Sequence, residues 1–377
     1  MPNISKNKKG LIVLAAGGVL QLFLGLVFAW SFFVMPLNEA YGWDIARLNL
    51  NSSFILGFFV LGIFVCGRLL PKLGSQRVVL FGGIMLSAGV FATAFLPAAF
   101  VWLVYISYGL LGGLGAGAGY NAVICSAQKW FPQNRGIAAG ISICAFWASA
   151  LLFTPLLEIL LQQFGLRYGF MLLSGALLVG VLALFYFIRL PAEGSGASPS
   201  VTALLLKRQF TTAEALETKG FFFLIFSLML ASTAFFYFNL ALISIAVVLG
   251  TLIAPLVSDI IGRTRTAVTL ILATAICVLV LGFGPTFLFS AALALMAFCF
   301  GAFFGIYPLL TADYFGIKNV ASNYGVVMLG FAIAAICFPM LIKLIEVEMI
   351  RFIVLSASAA LGALLVQRIM KLKERDY

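Results

Sequence analysis

Twelve times along this chain an apolar run of about 20 residues begins and ends, and the charged residues lie almost entirely between the runs. A backbone inside hydrocarbon finds no water for its N–H and C=O groups, so runs of this length dictate helices that cross a bilayer. They fall roughly at 11–36, 51–70, 78–96, 100–127, 136–161, 168–188, 221–238, 239–261, 267–287, 289–312, 323–345 and 350–370. Only 9% of the residues are charged, against about a quarter in soluble proteins, so lipid must solvate much of the surface. The expected fold is an all-α membrane protein of twelve transmembrane helices.

One long polar stretch interrupts the series. It covers 191–220, opens with Pro191-Ala192-Glu193-Gly194-Ser195, and continues through Lys207, Arg208, Glu214 and Glu217. Composition therefore divides the chain into a six-helix bundle at 1–190, a cytoplasmic linker with room for a short surface helix at 191–220, and a six-helix bundle at 221–377. With both termini placed inside, 19 Lys and Arg residues are cytoplasmic and four (Arg47, Arg167, Lys343, Arg351) are outside. The acidic residues divide seven and five, so the asymmetry lies in the basic residues, as the positive-inside rule requires. That placement accounts for the net charge of +11 without nucleic acid as a partner. Short loops and bare termini fit a bacterial inner membrane. Lys6, Lys8 and Lys9 precede an apolar run too long for a cleaved signal, so the first run is expected to stay as a span.

Residue types exclude other chemistry. The six Cys residues lie inside apolar runs without metal-ligand spacing, and there is no His, so neither a metal nor another cofactor is expected. A membrane enzyme would need a nucleophile, an acid–base pair or a metal cluster; a channel would need a filter-like run; a receptor would want an added soluble domain. None is present in the sequence. A transporter with a small-molecule substrate and a lipid surround is what remains. One place fits poorly: 221–261 gives 41 residues to two spans and leaves almost no outer turn. Either the helices are short and tightly joined, or residues are missing near 236–250.

Two loops repeat one pattern. The first reads Gly67-Arg68-Leu69-Leu70-Pro71-Lys72-Leu73-Gly74-Ser75-Gln76-Arg77, the second Pro255-Leu256-Val257-Ser258-Asp259-Ile260-Ile261-Gly262-Arg263-Thr264-Arg265. Span four carries Gly109, Gly112, Gly113, Gly115, Gly117 and Gly119, then Tyr120 and Asn121; spacing of this kind lets another helix approach closely. Lys129-Trp130-Phe131-Pro132-Gln133-Asn134-Arg135-Gly136 follows, and Tyr307-Pro308, Asp313-Tyr314-Phe315-Gly316 and Asn323-Tyr324-Gly325 recur later. Together with Phe28-Ala29-Trp30-Ser31 in span one, these motifs resemble the monocarboxylate and oxalate/formate porter branch of the major facilitator superfamily over nearly the whole chain.

The resemblance implies the major facilitator fold, two six-helix halves around a midplane site, alternating access, and small organic anions as substrates, exchanged for a counter-anion or moved with a proton. Members of this fold commonly work as monomers. It also implies that a loop Asp near a helix end pairs with Arg in one access state, which nominates Arg68, Arg77, Asp259, Arg263 and Asp313 as gating residues. Asp313 is expected to meet Lys318 or a loop Arg. Pro71 departs from the pattern, because the first loop has no Asp there. Two further departures concern substrate. The branch usually places an Arg in span eight and, in oxalate-type members, a Lys in span eleven; here those positions are Thr251 and Phe331. The candidate lining is therefore Tyr120, Asn121, Tyr237, Thr251 and Tyr307 as polar groups, with Phe28, Phe146 and Phe331 as an apolar wall. Such a lining suits either an anion held by neutral donors or a neutral or weakly acidic metabolite. No titratable residue sits midway along a span, which favours a uniporter or exchanger over a proton symporter.

Overall fold

A computed structural model describes residues 4–191, 208–238 and 245–375. The chain enters through α1 (Ile4–Gly25), tightens into a 3-10 turn at Leu26–Ala29, and continues as α2 (Trp30–Tyr41). α3 (Ile45–Thr93) is two helices joined directly at Gly74, whose φ of 77° only glycine adopts without strain. A π-helical stretch at Tyr105–Gly112 leads into α4 (Gly113–Trp130). α5 (Arg135–Leu184) is again two helices, joined at Gly165 with φ 71°. After the linker come α6 (Thr212–Leu216), α7 (Lys219–Tyr237), α8 (Ile245–Ile261), α9 (Arg263–Phe283), α10 (Phe289–Phe315), α11 (Val320–Lys343) and α12 (Glu348–Arg375).

Nine helical stretches among the described residues are long and apolar enough to cross a membrane. The joins at Gly74 and Gly165 double two of them, and the shorter apolar helix α8 completes the expected set. Several bounds differ from the sequence expectation. The first span runs on to Tyr41, past Pro36, which lies inside α2 and leaves the carbonyl of Phe32 without its helical N–H partner. The loops expected after 70 and 161 are absent, and a single glycine makes each reversal. α8 begins at Ile245, not 239; residues 239–244, where a shortfall was expected, lie outside the described set, as do 192–207 of the linker.

Contacts divide the chain into two units. One contains the described residues of 1–131 and 145–195, the other those of 132–144 and 196–377, so the first turns of α5 belong with the second unit. Lipid supplies no hydrophobic force between helices, so close packing must hold each unit together. In the first, α4 is the hub. A Cβ on Gly117 would collide with the Phe59 carbonyl, one on Gly113 would reach the Ile55 carbonyl at 2.7 Å, and Gly115 and Gly82 oppose each other across the second half of α3. Polar groups follow the same economy: Tyr108 donates to the Leu26 carbonyl at 3.1 Å, at the 3-10 turn, and Trp30 Nε1 donates to Leu48 O at 2.9 Å.

The second unit repeats this construction. Gly250 meets the Phe298 carbonyl, Gly301 the Val247 carbonyl, and Gly305 the ring of Pro255, so α8 and α10 pack backbone to backbone. Gly62, Gly74, Gly113 and Gly117 each have a glycine 188 residues later, at Gly250, Gly262, Gly301 and Gly305. The spacing identifies an internal repeat carried by helix contacts, since side chains between these glycines differ. The end of the linker is also built into the second unit. Phe210 pairs through its backbone N–H with Phe315 O (3.1 Å), while its carbonyl accepts from Asn319 Nδ2 and Asn323 Nδ2 at 2.9 and 3.2 Å. α6 begins there with a capping box between Thr211 and Glu214.

Candidate functional site

Asp259 lies in the last turn of α8 and Arg263 opens α9, and the φ of 95° at Gly262 lets them follow without an intervening loop. Arg263 Nη2 donates to Asp259 Oδ1 at 2.7 Å, and its Nε reaches Asp313 Oδ2, also at 2.7 Å. Asp313 ends α10, where Gly316 turns the chain with φ 90°. Its other oxygen accepts from Arg135 Nη2 at 2.5 Å. Arg135 stands at the start of α5, within the second unit, next to Gly136, where a Cβ would collide with Asp259. Two arginines and two aspartates thus form one neutral chain. The arginine side chains are 9% and 11% exposed and the aspartates 22% and 23%, so the guanidinium groups carry most of the desolvation.

Three expected gating residues, Asp259, Arg263 and Asp313, come together here. Arg68 and Arg77 do not join them: Arg68 lies over the Phe64 ring at 4.2 Å, and Arg77 has no ion pair among the described residues. The repeat explains why. Pro71 and Ser75 occupy the positions equivalent to Asp259 and Arg263, and Cys125 the position equivalent to Asp313. Ser75 instead donates to Ile188 O at 2.9 Å. Of the two alternatives for Asp313, the loop arginines are its partners. Arg135 was legible only as part of the Trp-Phe-Pro-x-x-Arg-Gly motif, and nothing in that motif indicates which carboxylate it meets.

In the first unit Phe28, Tyr120 and Phe146 meet. Phe28 packs edge-on to Phe146 (5.9 Å between centroids), and Tyr120 edge-on to Phe146 (4.8 Å). Phe59 and Trp147, absent from the sequence-derived set, complete the cluster, with Trp147 stacked on Phe28 at 5.4 Å. Gln21 Nε2 donates to Tyr120 O at 3.3 Å. Asn121 points elsewhere: its Nδ2 donates to Ile63 O at 2.9 Å and its Oδ1 accepts from Cys125 Sγ at 3.3 Å, tying α4 to α3.

The second unit separates its candidates. Tyr307 and Ser227, both fully buried, share a hydrogen bond of 3.1 Å. Phe331 lies against Phe304 (5.0 Å), Phe236 (5.1 Å) and Phe300 (6.1 Å). Thr251 is buried, with its hydroxyl turned back to Val248 O at 2.7 Å. Tyr237 stands apart, against Phe238 and Phe352 at the end of α7, so Phe236 is the aromatic neighbour of Phe331. No cluster of metal-ligating side chains occurs among the described residues.

The family model for the Major Facilitator Superfamily matches residues 16–244. An uncharacterized MFS-type transporter of Escherichia coli, YhjX, is 26% identical over 342 residues, covering 85% of this chain and 84% of that protein. The oxalate:formate antiporter of Oxalobacter formigenes is 26% identical over 334 residues, covering 80% and 76%. The solved structure of the proton:xylose symporter XylE has a TM-score of 0.70 over 96% of both chains at 15% identity. The fucose transporter FucP in its outward conformation gives 0.69, at 12% identity over 96% and 99%.

Proposed function

The chain belongs to the major facilitator superfamily, and from that premise we propose that it carries a small monocarboxylate-type anion across a bacterial inner membrane by alternating access. The ion cluster carries this reading. It joins the start of α5 to the ends of α8 and α10 through two carboxylates and two guanidinium groups. Breaking a pair of this burial costs about 1–3 kcal/mol, between the exposed and fully buried limits. Substrate binding yields comparable energies, so occupancy can shift the balance between a latched and a released state. The relatives support the anion. One is an oxalate:formate antiporter, and monocarboxylate transporter 9 of Gallus gallus is 30% identical over 162 residues, 31% of its length.

The neutral groups proposed to face substrate are Tyr120 in the first unit, with Phe28 and Phe146 beside it, and Tyr307 and Thr251 in the second, which also holds Phe331. A second reading, transport of a neutral or weakly acidic metabolite, has a specific observation behind it. Thr251 and Phe331 occupy positions where the resemblance implies cations, and the helices around them carry charge only near their ends. Counter-anion exchange fits better than proton coupling, because among the described residues the carboxylates stand toward helix ends, Glu158 included, where Gly165 divides α5.

Purified protein in liposomes tests both readings. Uptake of labelled lactate, formate and oxalate is expected to saturate and to accelerate when vesicles are preloaded with a monocarboxylate. Uptake of neutral analogues alone would favour the second reading. Absence of saturable flux for either class would overturn the assignment of substrate.

A further inference from the structure

A helix end leaves its last carbonyls without partners inside the helix. At the end of α10 the linker supplies one, since the Phe210 N–H donates to Phe315 O at 3.1 Å. The carbonyl of Phe210 then accepts from Asn319 Nδ2 and Asn323 Nδ2, at the start of α11. Asn323 is engaged at both ends of its amide, because its Oδ1 accepts from Thr212 Oγ1 at 2.9 Å. Gln209 Oε1 accepts from the Lys318 N–H, also at 2.9 Å, and a Cβ at Gly316 would lie only 3.1 Å from Gln209 Cα. The Phe210 side chain seats these bonds. It is buried against Phe315, with 5.8 Å between ring centroids, and Phe315 in turn meets Phe221 of α7 at 4.9 Å.

The turn held in this way also carries Asp313, two residues before Phe315. Its carboxylate must reach Arg135 at the start of α5 and Arg263 at the start of α9 at the same time. Terminal turns fray, and a charge-assisted hydrogen bond weakens steeply once its geometry is lost. A carboxylate that bridges two helices from a terminal turn therefore needs that turn fixed from outside. We propose that Phe210 is a positioning residue for Asp313: the end of the linker, seated on Phe315 and held by Asn319 and Asn323, fixes the last turn of α10 and with it the ion cluster. Asn323 of the Asn-Tyr-Gly motif then serves to receive the linker. All the residues involved belong to the second unit. The inference rests on the transporter reading and adds linker docking as a condition for a working latch.

A double-mutant cycle between Phe210→Ala and Asp313→Asn tests this in the full chain, read both as flux in liposomes and as melting temperature in detergent. If Phe210 acts through Asp313, the two losses overlap. Asp313→Asn is expected to lower flux more than about tenfold in the wild-type background and less than about twofold once Phe210 is Ala. The melting temperature of the double variant should likewise lie above the value given by adding the two single shifts. Phe210→Leu, which keeps an apolar plug on Phe315, should restore flux to within about twofold of wild type. Asn319→Ala removes one donor to the Phe210 carbonyl and decides the question if Phe210→Ala does not fold. It should cost about threefold in flux, the share of one hydrogen bond, and shrink the effect of Asp313→Asn by the same factor. Losses that multiply in flux and add in melting temperature, as two independent structural defects would, overturn the inference even where transport is intact. Coupled melting temperatures in a protein that carries none of the tested solutes would uphold the positioning of Asp313 and overturn the transporter reading instead.

Discussion

Two residues show how differently a polar side chain can be used in this interior. Asn121 spends both ends of its amide on Ile63 O and Cys125 Sγ. Asn121→Leu is expected to cost about 1–3 kcal/mol of stability, read as a lower melting temperature, with KM for the transported solute unchanged. A shifted KM at constant stability would return Asn121 to the substrate lining. Asp313 is the opposite case, because one carboxylate satisfies both Arg135 and Arg263. Asp313→Asn removes the charge from both pairs, leaving Arg135 without its carboxylate and Arg263 with Asp259 alone. Transport is expected to fall more than about tenfold, since a 1.4 kcal/mol change in the balance of states is already a factor of ten. Arg77→Gln, outside the cluster, is expected to leave flux within about twofold, and initial rates in liposomes compare the two.

At the scale of elements, glycines set the helix spacing. Gly117→Ala would drive a methyl into the Phe59 carbonyl and Gly301→Ala one into the Val247 carbonyl, and backbone cannot yield as a side chain can. Both variants are expected to lose folded protein on fluorescence-detected size exclusion, whereas Gly57→Ala, with open space around its Cβ, should not. The linker's end makes a different prediction. Glu214 accepts from the Thr211 backbone N–H at 2.7 Å and from its hydroxyl at 2.8 Å, and these bonds hold its carboxyl below the ordinary 4.5. A depressed folded pKa means the box contributes above pH 4.5 and is lost as pH falls through the lower folded value. A fluorophore on a cysteine introduced at Ala213 should therefore gain mobility only as pH falls below the ordinary carboxylate range. Thr211→Val should give the mobile state at every pH.

For the whole molecule, the distribution of Lys and Arg is the basis of the proposed orientation in the membrane. Single cysteines at Arg47 or Arg167, in a background lacking the six native ones, are expected to react with an impermeant maleimide from outside intact cells. One at Lys72 should react only after permeabilisation. Reversal of that pattern would invert the proposed topology. The all-helical membrane class was legible because hydrophobicity is a local property that adds along the chain, and a 20-residue apolar run has few alternatives in lipid. The glycine ladder of span four was legible too, since close approach leaves a spacing. What the sequence could not reveal was choice of partner. Asp313 had Lys318 nearby in the chain, yet it meets Arg135 and Arg263. Tyr237 and Phe236 are neighbours in sequence, yet only Phe236 faces Phe331. Such pairings depend on which faces two helices present across a gap, fixed by a few degrees of rotation about each axis. Only the packed tertiary structure sets those angles, through backbone contacts at glycines such as Gly250 and Gly301 that bring otherwise remote side chains within bonding distance.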